Sequence, residues 1–501
     1  MNNDDVGFEP EEEWQEHIDE WYSKNWDTDD SDSESDEDDH PPEELYLAMK
    51  YVQLLYPNTA KYPSTLPHTT PKEKVKTIYA PGDGYTAGLG ANMRDDVFWD
   101  AGYAWYGGCG RYKFAFPERL RDHSGWKDFQ GDEQRRTNFG ACAGHTIPAI
   151  TKYQINLGEN LDAHQFKAIG NPHIAVLTAG LWDFGFRNLI NDCILGPLGT
   201  ANCDNTLNDI EGKLNDEHKD ENKKQFKRLL AHLVVGGRLA TDLEKPEEFQ
   251  VFVGTYIPPF AETGDDHPCK DVSWNLWGDT IKLHKEFRGR VNAMVNNVNT
   301  IIKESADEFK KWGVFYVDSY NEEFKKKNAL FCDKVDNVDG WDNYPLQYAF
   351  RQNIGNQTRL WSGWSDWTDR GKDGHYQGNP HPIVEREGLE ADKTFVTRGR
   401  EQLMKDMGLS DSEREDLVKG KKNLPDLMNP KITDEREKIN DVKALQLFFS
   451  RLEPSDDGDV NAIRGLFRED MYLRAFHPKG EAVDWMANSF FKVITDNREK
   501  P

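Results

Sequence analysis

At 501 residues the chain is long enough for one large domain or two to three smaller ones. Its 37% hydrophobic content, with 15 Trp, 18 Tyr and 26 Phe, supplies a sizeable core and excludes a chain disordered throughout. The net charge of −27 is uneven: residues 1–45 carry 20 Asp and Glu against the single Lys24, so about −19 falls in the tail and about −8 in the rest. An acidic chain without a basic stripe argues against nucleic-acid binding, and no run of about 18 uninterrupted apolar residues predicts a membrane-spanning helix.

In chain order, residues 1–45 form an acidic extension ending in SDSESDEDDHPP (31–42), which has too little apolar surface to order itself. Ser33 and Ser35 lie in a run that acid-directed kinases favour, although such runs are commonly solvated tails. Trp14, Trp21, Tyr22 and Trp26 among the acids offer a short partner-binding motif. An amphipathic helix is predicted over 43–56 (EELYLAMKYVQLLY) from its apolar spacing. With the Pro/Thr-rich stretch 57–72 it makes a helix-and-linker segment, 46–73. Strands are predicted at 77–80, 173–178, 249–256 and 313–318, and helices at 221–235, 276–306 and 434–452. Short strands separated by helices imply a parallel sheet with helices on both faces, in one domain over 74–495. Residues 360–440, rich in Trp, Gly and Asp and then strongly charged, read as an insertion. Its Trp361, Trp364 and Trp367 either stack on a sugar or lipid or pack the insertion's own edge.

Cys109, Cys142, Cys193, Cys203, Cys269 and Cys332 show no C-x-x-C spacing, and are all disulfide candidates. Cys193 and Cys203 close the short loop ILGPLGTAN, which a disulfide suits; the remaining connectivity is open. Three bridges would belong to an oxidising compartment, and Asn356-Gln357-Thr358 is compatible with secretion. The opening MNNDDVGFEPEEEW has neither the basic nor the apolar region of a signal peptide. A missing first exon would reconcile these readings, as would six free thiols in the cytosol.

The chemistry concentrates at 74–91, KVKTIYAPGDGYTAGLGA. An apolar run feeds a tight glycine-flanked turn, a common place to display a nucleophile at the end of a parallel sheet. The displayed residue is Gly84. Further along come NFGACAG (138–144), TAGLWDFGF (178–186) after a strong strand, and RAFHPKG (474–480) leading into a helix. This order resembles the SGNH (GDSL-type) hydrolases, whose segments read Gly-Asp-Ser-x-Thr-x-Gly, a glycine block, Gly-x-Asn-Asp and Asp-x-x-His-Pro. CGRYKFAFP (109–117) and YNEEFKKKNALFC (320–332) are similar to stretches of secreted and fungal members. The resemblance spans about 74–490. It implies a three-layer α/β/α sandwich of the flavodoxin-like kind and hydrolysis of lipid, acetyl-sugar or other carboxyl esters through a serine acyl-enzyme. It further implies a secreted monomer, with no cofactor and no metal.

Carried over position by position, the chain departs from that pattern. Gly84 stands at the nucleophile position, Trp182 at the oxyanion asparagine, and Arg474 at the aspartate three before the histidine. Asp83, Gly144, Asp183 and His477-Pro478 match. Loss of one oxyanion donor alone costs about 10²–10³ in turnover, so an inactive or impaired copy is expected. Alternatives are water activated by Asp83 with His477, or a non-catalytic protein that holds a lipid or acylated glycan, or engages a partner through its tail. Asp83 is expected mainly to hold its loop, Thr86 to cap the turn and Tyr85 to point away from the site. His145 reads either as a ligand or base or as a loop histidine. Gly82, Gly84 and Gly88 loosely resemble a dinucleotide fingerprint whose third glycine comes one residue late.

Overall fold

The computed structural model describes residues 41–55, 67–88, 111, 115–126, 135–155, 169–194, 200–273, 281–333, 352–354, 357–359, 412, 477–478 and 482–498. The chain divides into Met1–Pro41 and Pro42–Pro501, and nearly all described residues belong to the second unit. The acidic run with its aromatics, Trp361, Trp364 and Trp367, the helix expected at 434–452, Cys109 and Arg474 lie outside the described residues.

The elements begin with α1 (Glu43–Leu55), β1 (Thr77–Ala80), α2 (Gly84–Ala87), α3 (Phe116–Arg121) and β2 (Arg136–Phe139). Next come α4 (Ile147–Ala149), running on as a π-helix (Ile150–Ile155), β3 (Ile174–Leu177), and α5 (Phe186–Leu189), running on as a second π-helix (Ile190–Ile194). They continue with α6 (Thr200–Lys213), α7 (Asp216–Ala240), β4 (Gln250–Gly254), β5 (Val272–Ser273), α8 (Lys285–Glu308) and β6 (Val314–Val317). The last are α9 (Ser319–Lys326), β7 (Gln352–Ile354), β8 (Gln357–Arg359) and α10 (Ala482–Asp496).

Five strands form one parallel sheet in the order β2-β1-β3-β4-β6. β3 (IAVL) and β4 (QVFVG) are buried at every position, because helices cover both faces and leave no solvent side to select alternation. On one side α1, α7 and α8 pack together, and α3, α9 and α10 pack on the other, where Phe116 stacks on Phe490. The result is the three-layer α/β/α sandwich with a parallel central sheet. A short antiparallel sheet, β5-β7-β8, stands apart. The order reverses at β1, which has β2 on one side and β3 on the other. In open parallel sheets that reversal leaves a crevice beyond the strands' carboxyl ends, where ligands bind.

The predicted strands at 77–80, 173–178, 249–256 and 313–318 contain β1, β3, β4 and β6. β2 was not expected: RTNF is polar and only partly buried on the sheet's edge, so no apolar run announces it. α6 begins within the stretch read as a loop, and Cys203 lies on that helix. α7 starts earlier than 221 because Asn215 caps it, accepting from the His218 N–H. α8 starts at Lys285, not 276, where His284 takes the same role toward Phe287. Two disulfides join Cys193 to Cys203 and Cys269 to Cys332, and Cys142 is also disulfide-bonded. No described helix is long and apolar enough to cross a membrane.

Candidate functional site at the carboxyl end of β1

β1 runs into Pro81-Gly82-Asp83-Gly84, and the turn is built around one buried carboxylate. Asp83 is the N-cap of α2 and accepts from the Tyr85 N–H at 3.1 Å. It also accepts from the Thr178 hydroxyl at 2.7 Å and from the Tyr256 phenol at 2.5 Å, while its own N–H donates to the Thr178 carbonyl. Burial pushes its pKa up to about 6, and the hydrogen bonds from Tyr256, Thr178, Tyr85 and Thr86 restrain the rise. Burial likewise raises the Tyr256 phenol, as does the nearby Asp83 charge, so Tyr256 remains a donor. Gly82 holds φ +138°, and a Cβ there would lie 2.5 Å from Thr86 Oγ1 and 2.7 Å from the Thr178 carbonyl; only glycine lets β1 turn this close to β3.

The glycine block lies alongside. The Gly140 and Ala141 N–H groups donate to Ala80, and the Cys142 N–H donates to Gly82 at 2.9 Å. Cys142–His145 closes a β-turn, with the His145 N–H donating to Cys142 and Gly144 at φ +79°, the backbone a type II turn asks of its third residue. The π-helix beyond α4 supplies Gln154, whose buried amide accepts from the Gly82 N–H at 2.7 Å and donates to the Gly82 carbonyl at 3.0 Å. The same amide nitrogen is 3.1 Å from His145 Nδ1. Tyr79 donates to the Gln154 carbonyl, so β1 and the π-helix hold the turn between them.

The loop after β3 brings Trp182 and Asp183. Asp183 accepts from the Ile147 N–H through both oxygens, at 2.9 and 3.0 Å, and so fixes the start of α4. Trp182 is half-buried against the core. His477 is buried, and its ring lies 4.7 Å from that of Tyr85, tilted at 46°. Tyr85 in turn meets Tyr256 edge-on at 5.1 Å.

The four separated segments therefore converge at one end of the sheet. Two expectations need correction. Tyr85 does not point away: its ring fills the space between Tyr256 and His477, since α2 is buried on all sides and offers no solvent-facing position. Thr86 does not cap α2, where Asp83 occupies the cap; its hydroxyl accepts from the Thr178 N–H at 2.7 Å and bonds the Thr178 hydroxyl at 2.9 Å. The dinucleotide reading also fails, because α2 ends at Gly88 in a left-handed cap after a single turn. A pyrophosphate site needs the N-terminus of a sustained helix. Among the described residues, no group of three or more His, Cys, Asp or Glu side chains is placed to hold a metal ion. Sequence reasoning missed Tyr256 and Gln154. Tyr256 ends the predicted strand 249–256 and lies two residues past β4, where sheet ends carry function; no sequence signal marks Gln154.

No family model and no curated protein sequence matches this chain. Among solved structures it is similar to an extracellular lipase from Streptomyces rimosus, at 17% identity and TM-score 0.35, over 55% of this chain and 88% of that one. It is also similar to phospholipase A1 from Streptomyces albidoflavus, at 18% identity and TM-score 0.36, over 58% of this chain and 92% of that one. Likeness of that depth carries no chemistry from those proteins to this one.

Proposed function

We propose that this chain is a carboxylester-hydrolase scaffold of the SGNH type that no longer uses a serine acyl-enzyme. The observation that supports it most directly is Gly84. It follows a fully engaged aspartate at the carboxyl end of β1, beside the sheet's order reversal. Acyl transfer needs a nucleophile, a base and donors for the oxyanion. Gly84 offers no hydroxyl or thiol, Trp182 no amide, and Thr86 Oγ1 is held against Thr178. Water activated by Asp83 is disfavoured, because three donors already occupy its carboxylate. On this reading the protein holds an acyl-bearing lipid or glycan rather than cleaving it. The disulfides fit maturation in an oxidising compartment, in keeping with a secreted protein.

The test pairs a fluorophosphonate serine probe with hydrolysis of short-chain 4-nitrophenyl esters. No labelling and no turnover above the His477→Ala variant is expected. Labelling, or turnover that vanishes in His477→Ala, overturns the proposal.

A further inference from the structure

His145 is half-buried on the turn next to exposed Gly144, and the bonding around it fixes which ring nitrogen carries its proton. Gln154 grips Gly82 at two points, which sets the orientation of its amide: Oε1 must face the Gly82 N–H and Nε2 must face the Gly82 carbonyl. A flipped amide would set a donor against a donor and an acceptor against an acceptor. The second hydrogen on Gln154 Nε2 is therefore the one directed at His145 Nδ1, 3.1 Å away, and Nδ1 has to accept. The imidazole is then neutral with its proton on Nε2. Protonating Nδ1 would oppose two N–H groups, and burial also lowers the pKa of this histidine. Nε2–H has no partner among the described residues.

Beside it lies Tyr153, the large hydrophobic side chain that stays exposed among the described residues, at 60%. Its ring centroid is 6.0 Å from that of His145, and Lys152 Nζ is 5.2 Å from the same ring. The π-helix that turns Gln154 inward thus turns Tyr153 and Lys152 outward, with Tyr153 set between the histidine and the lysine's ammonium. A neutral N–H donor, a cation and an exposed aromatic face make a set suited to an oxygen anion carried on a flat group. We propose that His145, Tyr153 and Lys152 form a subsite for an aryl carboxylate, with His145 Nε2–H donating to a carboxylate oxygen, Lys152 supplying charge and Tyr153 stacking on the ring. The proposal stands on this geometry and not on the ester-hydrolase ancestry.

Long-range proton–nitrogen spectra of the ¹⁵N-histidine-labelled full chain at neutral pH read the tautomer directly, with a His145→Phe spectrum supplying the assignment. A neutral Nε2–H form is expected; a proton on Nδ1, or a charged ring, overturns the proposal. Titration with benzoate should shift the His145 Nε2 signal. Its affinity should fall about tenfold, some 1.4 kcal/mol, in His145→Phe and in Tyr153→Ala. Lys152→Met should weaken benzoate but not benzamide. Absence of benzoate binding, affinity unchanged by His145→Phe, or equal affinity for benzamide in the unaltered protein each overturns it. The three positions are not part of the core, and a His145→Gln spectrum supplies the assignment should His145→Phe misfold.

Discussion

The two ends of the parallel sheet are closed in different ways. At the carboxyl end, three of the five strands are closed by residues of the loops that follow them: Asp83 after β1, Thr178 after β3 and Tyr256 after β4, joined through one carboxylate. At the amino end the closure comes from the segments that flank the sheet, 68–73 and 497–498. Gln250, the first residue of β4, is bonded by Asn497 and Arg498 and lies 3.3 Å from His68. The His68 N–H donates to Lys311, and Arg498 donates to Glu73. One end is thus tied through the loops that leave its own strands, and the other through clasps from the segments that flank the sheet. The carboxyl end holds a shape. The amino end holds the fold's extremities to the sheet.

Substitutions separate the two. The largest expected effect is Gly82→Ala, where a positive φ and contacts near 2.5 Å combine; destabilisation by about 3 kcal/mol or more is expected in denaturant melts. A change below about 1 kcal/mol would show that the turn yields and that its tightness is not built in.

Second comes Asp83→Asn. The Asp83 pKa rises from 3.8 to about 6 on folding, so the folded state binds this proton more tightly than the unfolded chain does. Its contribution to stability is complete below pH about 4 and is lost as pH climbs through about 6, amounting to about 3 kcal/mol for a wholly buried group. Melts between pH 4 and 7 should show a flatter dependence in the variant. Glu118, raised by burial to about 7, and Asp333, raised to about 6, continue to supply the remaining slope. An unchanged dependence would mean that Asp83 titrates as it does in water.

The smallest effect belongs to the other end. Arg498→Ala removes bonds to Gln250 and Glu73 and should cost about 1 kcal/mol, leaving the His145 tautomer and benzoate affinity unmoved. A shift in either readout would show that the two ends communicate.

The sheet was legible because β1, β3, β4 and β6 are short apolar runs set between helices, a pattern that survives without knowledge of neighbours. β2 was hidden because an edge strand such as RTNF is half-wet and carries no apolar signature. α6 was hidden because TANCDNTLNDIEGK has the composition of a loop and is held by its disulfide and its neighbours. Within the site, Asp83 and His477 were legible through their spacing in motifs. Gln154, Tyr256 and the inward turn of Tyr85 were not. Each depends on which side chains meet across the crevice, a property of strand order rather than of local sequence. Cys193 and Cys203 were paired from their short separation, whereas Cys269 and Cys332 lie 63 residues apart and give no local hint.

The π-helix at Ile150–Ile155 bears on how this chain can vary. A π-helix carries one residue more than the α-helical turn it replaces, and in this one Gln154 faces the turn inside while Tyr153 faces the solvent outside. Removal of one residue from this segment would restore the ordinary helical repeat and rotate one of the two out of place. The length of this segment is therefore constrained together with the identity of Gln154 at its buried end.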